Sequence, residues 1–453
     1  MAEHMLHYLS GSWHSGWRQP AQGDRSDSRF KEAYEQQPSI HNSYFGTRGS
    51  AEAYAIREFL HRCGVPFQWV ELRSDEEART VSQTAGLGDQ RLPVCVFPDG
   101  SRLEHPTVQQ ISEKLGLFRT PSQSEYDLAI YGAGPAGLSA AVYGASEGLK
   151  TVVVERFAVG GQAGSSPKIE NYLGFPQGIS GAELAERALE QARRFGAEIL
   201  LLREGVRAEF STGKGVGYLS DGTKIVARAS ICATGVDYRR LNLPNEDRLH
   251  GAGIYYGSGA TEASFCASTD HVFVVGGGNS AAQASLHFCR YAGKVTMVVR
   301  DNSLRNTVSQ YLVDRIGFEP KIEVLLRTRV VALHGEQTLT AITLKNDDTG
   351  KEWTEQTHWL FVCIGGTPRT QWAEELGIVR DEAGYLVTGP DLMRTGHSPE
   401  RWPLNRDPYY LETNMPGVFA AGDVRHGSVK RCASAVGEGA MAVMFVHRYI
   451  ANG

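Results

Sequence analysis

The stretch that decides the fold is YDLAIYGAGPAGLSAAVYGASEGLKTVVVER, residues 126–156. A strand pattern runs into a glycine-rich turn, an alanine-rich helix follows, and a second apolar strand closes the stretch. Gly132 permits a tight turn, Gly134 lets the backbone approach a pyrophosphate, and Gly137 lets helix and strand lie close together. We therefore expect a βαβ unit that binds a dinucleotide.

The two ends of this unit provide the polar contacts that a dinucleotide needs. The helix N-terminus, which contains Pro135 and Ala136, offers unpaired N–H groups and partial positive charge to an anion. Glu155 ends the second strand about 20 residues further on, where a carboxylate can accept hydrogen bonds from ribose hydroxyls. Strand, glycines, helix, strand and acid in this order are a far more specific signal than three glycines alone.

A second stretch of the same kind is DHVFVVGGGNSAAQASLHFCRYAGKVTMVVR, residues 270–300. It again places a glycine-rich turn between a strand and a helix, so we expect a second dinucleotide site. The residues of this turn that we expect to bind the nucleotide are Gly276, Gly278, Asn279, Ser280 and Ala281.

The strand that closes the second stretch lacks the acid. When Gly132 is aligned with Gly276, Val299 takes the place of Glu155, and Arg300 follows it. Together with Arg305, this arginine suits a 2′-phosphate and predicts NADP rather than NAD. The alternative is that both arginines are solvated charges at a strand end.

Two dinucleotide sites on one chain imply a cofactor pair, with hydride passing from a nicotinamide to a flavin. From about Asp127 to the C-terminus, the sequence resembles the thioredoxin-reductase-like flavoproteins. The segments that carry this resemblance are Gly160–Gln162, Ile169–Tyr172, Ala233–Gly235, Cys363–Gly365 and GVFAAGDVRHGSVKRCASAVGEGA, residues 417–440.

The resemblance implies an α/β fold with two Rossmann-like domains. FAD would bind residues 125–241 and 371–453, NAD(P)H would bind the inserted residues 242–370, and the protein would be a homodimer. Asp423 would bond the ribityl chain. The other residues implied at the flavin are Gly161, Gln162, Asn171, Thr234, Gly235, Gly422, Lys430, Arg431, Cys432 and Ala433, and those implied at the NADPH domain are Ile364 and Gly365.

The redox motif of that family, C-x-x-C, is missing. The chain has 7 cysteines, and no two of them have this spacing. Gly257–Ala260 occupy the place of the motif, and Cys266 lies too far along to replace either cysteine. The fold and the cofactors therefore carry over, whereas the disulfide relay does not.

Two residues are weak candidates for a catalytic role. Cys432 would lie near the flavin as a reactive thiol, or it would be a small apolar core residue, which is the more common role of a free cysteine. Tyr256 would be an active-site wall over the flavin, or a buried aromatic residue with a satisfied hydroxyl.

The N-terminal quarter of the chain has a different pattern. Residues 1–38 are polar and predict a disordered tail. Residues 39–117 predict the order βαβαββα and resemble glutaredoxin, with Pro93 where that family has a cis-proline. The loop that would hold the redox cysteine reads GTRGSAE, residues 46–52, without a cysteine. We therefore expect a docking or scaffolding domain, with thiol binding as the alternative.

Composition excludes several classes of protein. The 453 residues carry a net charge of −5, which argues against nucleic-acid binding. No apolar run approaches the roughly 20 residues that span a bilayer. The N-terminus shows no cationic segment followed by an apolar one, so we expect a cytoplasmic protein. We expect no metal site, because the cysteines are scattered.

These observations predict an NADPH-dependent FAD oxidoreductase that reduces a small-molecule or protein acceptor without an internal dithiol. One alternative is an enzyme of the thioredoxin-disulfide reductase type or an electron transferase like the ferredoxin–NADP reductases. Another alternative, from a different class, is a flavin-dependent redox sensor or binding protein.

Overall fold

The computed structural model describes residues 42–211, 213–394, 402 and 404–452. The predicted disordered tail, residues 1–38, lies outside the described residues. None of the helices in the described part is long and apolar enough to cross a membrane.

The N-terminal unit is a four-stranded sheet with the strand order β2-β1-β3-β4. Its elements are β1 (Asn42–Gly46), α1 (Ala51–Arg62), β2 (Phe67–Glu71), α2 (Asp75–Val81), β3 (Val94–Val96), β4 (Arg102–Glu104) and α3 (Val108–Lys114). β1 is parallel to β2 and antiparallel to β3. The order agrees with the predicted βαβαββα, and the Leu92–Pro93 peptide bond is cis.

Local signals explain where the helices of this unit begin. The hydroxyls of Ser50 and Ser74 accept hydrogen bonds from backbone N–H groups three residues later, at 3.0 and 3.1 Å. On α1, Ile56, Phe59 and Leu60 follow helical spacing and are buried in the core of the unit. The opposite face of α1 therefore turns toward the rest of the chain.

The first large sheet has the strand order β7-β6-β5-β10-β9-β8. The elements that build it are β5 (Tyr126–Tyr131), α4 (Pro135–Ser146), β6 (Thr151–Glu155), α5 (Gly161–Gly164), α6 (Gly181–Arg194), β7 (Glu198–Leu201), β8 (Gly205–Ser211), β9 (Lys214–Leu219) and β10 (Lys224–Cys232). β7, β6, β5 and β10 are parallel, as a Rossmann-like sheet requires.

The second large sheet is parallel throughout, with the order β12-β19-β13-β14-β15. Its segment comprises β11 (Asp237–Tyr238), α7 (Glu246–Leu249), β12 (Ile254–Tyr256), β13 (His271–Val275), α8 (Asn279–Phe288), β14 (Lys294–Val298), α9 (Gln310–Phe318), β15 (Ile322–Leu325), β16 (Thr328–His334), β17 (Ala341–Asn346), β18 (Glu352–Gln356), β19 (Trp359–Val362) and β20 (Gly366–Thr367). β16, β17 and β18 form an antiparallel sheet beside it. β11 pairs with β20 where the chain enters and leaves this segment.

The C-terminal segment returns to the first sheet. It contains α10 (Gln371–Glu375), α11 (Pro390–Arg394), β21 (Val418–Ala420) and α12 (Cys432–Asn452), and β21 lies parallel to β10. α12 lies against α4 so closely that a Cβ on Gly439 would be 2.1 Å from the carbonyl oxygen of Ala136. This contact brings the start of α12 next to the first glycine-rich turn.

Candidate functional site

The first turn has the predicted backbone geometry at Gly132 and Gly137, and the role of Gly134 toward a pyrophosphate stays a prediction. Gly132 has a φ of +105°, and a Cβ there would be 2.3 Å from the carbonyl oxygen of Ala233. A Cβ on Gly137 would lie 1.8 Å from the Gly132 oxygen, so this glycine lets α4 approach β5. The nearest atom to a Cβ on Gly134 would be 3.8 Å away, which leaves its open side toward the site.

Glu155 anchors this turn. Its carboxylate oxygens accept hydrogen bonds from the backbone N–H of Ala133 at 2.7 Å and of Phe157 at 2.9 Å, and the side chain is buried. The carboxylate thus fixes the turn whose backbone faces the nucleotide. Its bond to ribose stays a prediction.

One cavity of about 1020 Å³ lies over the turn. The predicted flavin-site residues that line it are Gly132, Gly134, Pro135, Ala136, Glu155, Gly161, Gln162, Asn171, Thr234, Gly235, Gly422, Asp423, Lys430, Arg431, Cys432 and Ala433. Gly137 lies beneath the turn and does not line the cavity. The open cradle at Gly134, the start of α4 and the size of the cavity fit a dinucleotide as large as FAD.

An ion pair between Arg425 and Glu438 holds the segment 417–440 in place. Glu438 on α12 accepts a hydrogen bond from the Gly422 N–H at 2.7 Å and pairs with the Arg425 guanidinium at 2.6 Å. The ammonium of Lys430 donates to the carbonyl oxygen of Asp423 at 2.7 Å. Burial raises the pKa of Asp423 and lowers that of Lys430. These contacts place the Asp423 side chain at the cavity.

The second glycine-rich turn opens on the same cavity. Gly276 repeats the geometry of the first turn, because its φ is +145° and a Cβ there would be 2.4 Å from the Cys363 oxygen. A Cβ on Gly278 would meet no atom within 4 Å. Asn279 and Ser280 line the cavity, together with Gln283. Gly276, Gly278 and Ala281 do not line it.

The structure confirms the alignment of the two strand ends. The Gly132 N–H donates to Val154, one residue before Glu155, and the Gly276 N–H donates to Val298, one residue before Val299. Val299 is buried behind the turn, and a Cβ on Gly277 would be 3.0 Å from its Cγ1.

Arg300 and Arg305 lie near the second turn and are exposed. No hydrogen bond or ion pair joins the Arg300 side chain to another residue in the described part. Arg305 lies in a short 3₁₀ turn, Leu304–Asn306, and the Thr307 hydroxyl just after it donates to the carbonyl oxygen of Gly277. This contact brings the Arg305 segment to the glycine-rich turn.

Ile364 and Gly365 follow β19 but do not line the cavity. Gly365 has a φ of +84°, and its carbonyl oxygen accepts a hydrogen bond from the Arg239 N–H at 2.9 Å. In this structure the pair turns the chain from β19 into β20. Their contact with NADPH stays a prediction.

Tyr131, Tyr172 and Tyr238 line the cavity, whereas our candidate Tyr256 does not. Strand alternation on β12 turns Tyr256 toward Phe273 and Val362, in the core between the second sheet and the antiparallel sheet. Its buried hydroxyl has no hydrogen-bond partner among the described residues. The Tyr238 hydroxyl lies 3.2 Å from the Ser165 hydroxyl, and burial raises its pKa to about 12.

The seven cysteines, all in the described part, are free. Burial raises the pKa of Cys63, Cys232 and Cys363 to about 12, and it also raises the pKa of Cys95, Cys266, Cys289 and Cys432. Nucleophilic cysteines have lowered values instead. Cys432 lines the cavity, as does Cys232, whereas Cys266 does not. No group of histidines, cysteines and acids in the described ranges could hold a metal ion.

Sequence reasoning missed several residues of the cavity wall. They are Glu58 and Arg62 from α1, Arg203 from the end of β7, Tyr238 from β11 and Gln283 from α8. Gln283 could have been found, since it lies one helical turn after Asn279. The residues of α1 carried no signal, because they come from a unit that precedes the nucleotide-binding stretches.

Comparisons with known proteins agree with this geometry. The sequence model of the pyridine nucleotide-disulphide oxidoreductase family matches residues 126–439. The thioredoxin reductase of Bacillus subtilis is 34% identical, over 72% of this chain and 95% of its own. That of Listeria innocua is 35% identical, over 72% of this chain and 94% of its own.

Solved structures give the same result. The thioredoxin reductase of Lactococcus lactis in its FR conformation is 28% identical, with a TM-score of 0.64, over 73% of this chain and 100% of its own. That of T. acidophilum is 28% identical, with a TM-score of 0.63, over 72% of this chain and 99% of its own. The N-terminal unit lies outside the residues that the family model matches.

Proposed function

The chain belongs to the pyridine nucleotide-disulphide oxidoreductase family and is an FAD-dependent NAD(P)H oxidoreductase, and we propose that it reduces its acceptor at the flavin without an internal dithiol. FAD and NADPH, when bound, supply the hydride chemistry. The residues of the chain place the two cofactors, keep water out and stabilise charge.

The shared cavity is the observation that carries this proposal. Asn279 and Ser280 of the second turn and Gln283 of α8 line the same cavity as Gly134 and Gln162 of the flavin site. A nicotinamide that extends from the second turn would therefore enter the space of the flavin. This arrangement supports direct hydride transfer between the two cofactors.

The place of the family's disulfide supports the absence of a relay. Gly257 has a φ of +85°, which disfavours any residue with a side chain. A Cβ there would lie 2.5 Å from the Tyr238 hydroxyl, so this tyrosine fills the volume that a thiol would need. A dithiol relay also needs two sulfurs with Cα atoms within about 7 Å.

The start of α12 suits a reduced flavin. The helix begins at Cys432, which lines the cavity, so its free N–H groups and partial positive charge are directed toward the bound cofactor. The nearby Lys430 and Arg431 add full positive charge. We propose that this end of the cavity stabilises negative charge on the cofactor.

Anaerobic titration tests the proposal. We expect full bleaching of the flavin with one two-electron equivalent of NADPH or dithionite per FAD, and rapid NADPH-dependent reduction of ferricyanide or a quinone dye. Reduced enzyme should not reduce thioredoxin. A requirement for two equivalents, or fast reduction of thioredoxin, would contradict the proposal and indicate a pair of cysteines that becomes reactive in solution.

A second candidate is a thioredoxin-disulfide reductase or a ferredoxin–NADP reductase-like transferase. The identities of 34 and 35% to the two thioredoxin reductases favour the first of these two activities. The first activity would need a dithiol supplied by a partner protein, and the second would need an iron–sulfur acceptor. A redox sensor would bind both cofactors and show negligible turnover with every acceptor.

The N-terminal unit supports the interpretation as a glutaredoxin-like scaffold. Its loop 46–52 lies against the second nucleotide-binding segment, where the Arg48 guanidinium donates to the Phe265 carbonyl at 2.5 Å. A Cβ on Gly251 would be 2.9 Å from the Cα of Ala51. The loop that would expose a redox cysteine is thus partly covered by the chain itself, at residues 46–50.

The assembly and the domain limits are also proposals. We propose a homodimer, since α4 and α12 expose Tyr143, Met441 and Met444, and sedimentation equilibrium tests it. The limits 125–241, 242–370 and 371–453 are supported by the β11–β20 pair, which lies next to both internal boundaries. The cytoplasmic location stays a prediction.

A further inference from the structure

One face of α1 is turned toward the flavin cavity. Tyr54, Glu58 and Arg62 are spaced by four residues and therefore share this face, opposite the core residues Ile56 and Leu60. Glu58 and Arg62 line the cavity, although they belong to the N-terminal unit.

Arg62 holds the turn before α5. Its Nη2 donates to the carbonyl oxygens of Ala158 at 2.7 Å, Val159 at 3.2 Å and Gly161 at 3.0 Å. The side chain is only 12% exposed. Hydrogen bonds from a charged donor to backbone carbonyls are among the stronger polar contacts in a protein. The turn they fix contains Gly161 and leads into Gln162, both of which line the cavity.

The guanidinium is itself held in place from two sides. Its Nη1 lies 3.7 Å from a carboxylate oxygen of Glu58, whose other oxygen accepts a hydrogen bond from the Tyr54 hydroxyl at 2.7 Å. The guanidinium also lies 5.5 Å from the centre of the Phe157 ring. Its Nε is buried and has no partner in the described part, and a Cβ on Gly164 would lie 3.5 Å from it.

The Tyr54 end of this face of α1 contacts the second nucleotide-binding segment. The Tyr54 ring lies 5.1 Å from the Tyr255 ring, and the neighbouring Arg57 pairs with the buried Glu262 at 3.5 Å. α1 therefore contacts the FAD segment through Arg62 and the NAD(P)H segment through Tyr54 and Arg57.

We propose that Arg62 is a positioning residue of the flavin site, so that the N-terminal unit completes this site. Arg62 orients the turn 158–161 toward the cofactor, and its positive charge lies in the cavity wall, where it stabilises an anionic reduced flavin. Glu58 in turn fixes the guanidinium. The inference rests on FAD binding and not on the identity of the acceptor.

The test uses three variants of the full-length chain. Arg62→Ala removes the contacts, Arg62→Lys keeps the charge, and Arg79→Ala is the matched control. Arg79 is an exposed arginine of the same unit that donates to a carbonyl of its own unit, that of Ala85, at 3.1 Å. FAD affinity is measured by fluorescence on reconstituted apoprotein, and the flavin potential is measured by dye equilibration.

We expect Arg62→Ala to weaken FAD binding about tenfold or more, as the loss of charged hydrogen bonds implies. Its flavin potential should become more negative and its absorbance spectrum should shift. Arg62→Lys should recover part of each change, and Arg79→Ala should match the wild type.

Unchanged affinity, potential and spectrum in Arg62→Ala would overturn the proposal. So would an equal loss of thermal stability in apoprotein and holoprotein without a change in affinity, which would show a purely structural role. If Arg62→Ala does not fold, Arg62→Lys decides, and wild-type FAD affinity in that variant would contradict the proposal. None of these readouts depends on the acceptor, so a failed acceptor assay leaves them valid.

Discussion

The two glycine-rich turns share one backbone geometry and differ at the residues that end the neighbouring strand. In the first, Glu155 is buried and binds the turn, and Arg156 forms an ion pair with Asp237. In the second, Val299 is buried in the corresponding place, and Arg300 is exposed without a partner among the described residues. Both strand ends thus carry an arginine, and only the second is free to bind a ligand.

This difference shows how one fold separates two cofactors. The first turn uses a carboxylate to fix its own backbone N–H groups, so the strand end has a structural role. The second turn is held elsewhere, because Asn279 exchanges two hydrogen bonds with Ser309 at 2.8 and 3.0 Å. Its strand end therefore remains available for a charge-assisted contact with a 2′-phosphate.

We expect the largest effect, on both stability and FAD content, when Glu155 is replaced by valine, the residue at the corresponding place of the second turn. Glu155→Val removes two charge-assisted hydrogen bonds and leaves the N–H groups of Ala133 and Phe157 unpaired. The free energy of unfolding should fall by about 3–5 kcal/mol, and the purified protein should contain little FAD. Urea unfolding and extraction of the flavin measure both quantities. The exposed Glu190→Ala is the control, and FAD retention in Glu155→Val would show that the turn does not depend on this anchor.

The next effect concerns cofactor choice at the second turn. Arg300→Ala should raise the KM for NADPH about ten- to a hundredfold, the cost of one charge-assisted contact, and leave NADH nearly unchanged. Steady-state kinetics with both nucleotides measures it. Arg290→Ala, an exposed arginine beyond the far end of α8, is the control. Equal changes for the two nucleotides would mean that Arg300 only stabilises the fold.

A smaller effect is expected from alanine substitutions at Gly134 and Gly278, which should change cofactor affinity without changing the stability of the fold. A Cβ added at Gly134 or Gly278 would meet no atom closer than 3.8 Å, so replacement of either glycine by alanine should leave the unfolding midpoint almost unchanged. Gly134→Ala should weaken FAD alone and Gly278→Ala should weaken NADPH alone, each about tenfold. Gly132→Ala, which would meet a backbone oxygen, should instead destabilise the fold. Loss of both cofactors in either single variant would contradict the independence of the two turns.

The smallest effect is a pH dependence of the free energy of unfolding. It arises where the N-terminal unit contacts the second nucleotide-binding segment. Burial raises the pKa of Glu262 to about 7, while Arg57 opposes this shift and Glu58 adds to it. A raised pKa in the folded state gives stability that is complete below the unfolded value of 4.5 and is lost as the pH rises through about 7.

Between about pH 5 and about pH 8, we expect the free energy of unfolding of the wild type to fall by roughly 1–3 kcal/mol through this group. Glu262→Gln should remove this pH dependence. The difference in unfolding free energy between wild type and variant, measured from about pH 5 to about pH 8, reports it. A difference that does not change with pH would mean that Glu262 keeps one protonation state throughout. Thr261→Ser, which adds no charge, is a suitable control for local disturbance.

The sequence predicted most of the fold because its signals are local. The turns at Gly132 and Gly276 each lie within a stretch of about 30 residues in which strand, glycines and helix follow in order. In the structure, the hydroxyls of Ser50 and Ser74 cap their helices through contacts that are equally local. The flavin-site residues from Gly161 to Ala433 came from resemblance, and the cavity brings them together.

The missed residues depend on contacts between distant segments. Arg62 reaches carbonyls that lie 96 to 99 residues further along the chain, and Arg57 reaches Glu262 across 205 residues. No periodicity or spacing encodes such a contact. Likewise, the sequence left open whether Tyr256 is an active-site wall or a buried aromatic residue, because it did not show which side chains of β12 pack into the core.

The sequence by itself determined that two dinucleotides bind, that the second strand ends in Val299 and Arg300 where the first ends in Glu155 and Arg156, and that no C-x-x-C can form. These properties follow from residue identity at fixed local spacing. Only the tertiary structure decided that both turns open on one cavity, that Tyr238 fills the space beside Gly257, and that α1 contributes Arg62 to the cavity wall. Those properties depend on which surfaces are buried against each other, and burial is set by the whole folded chain.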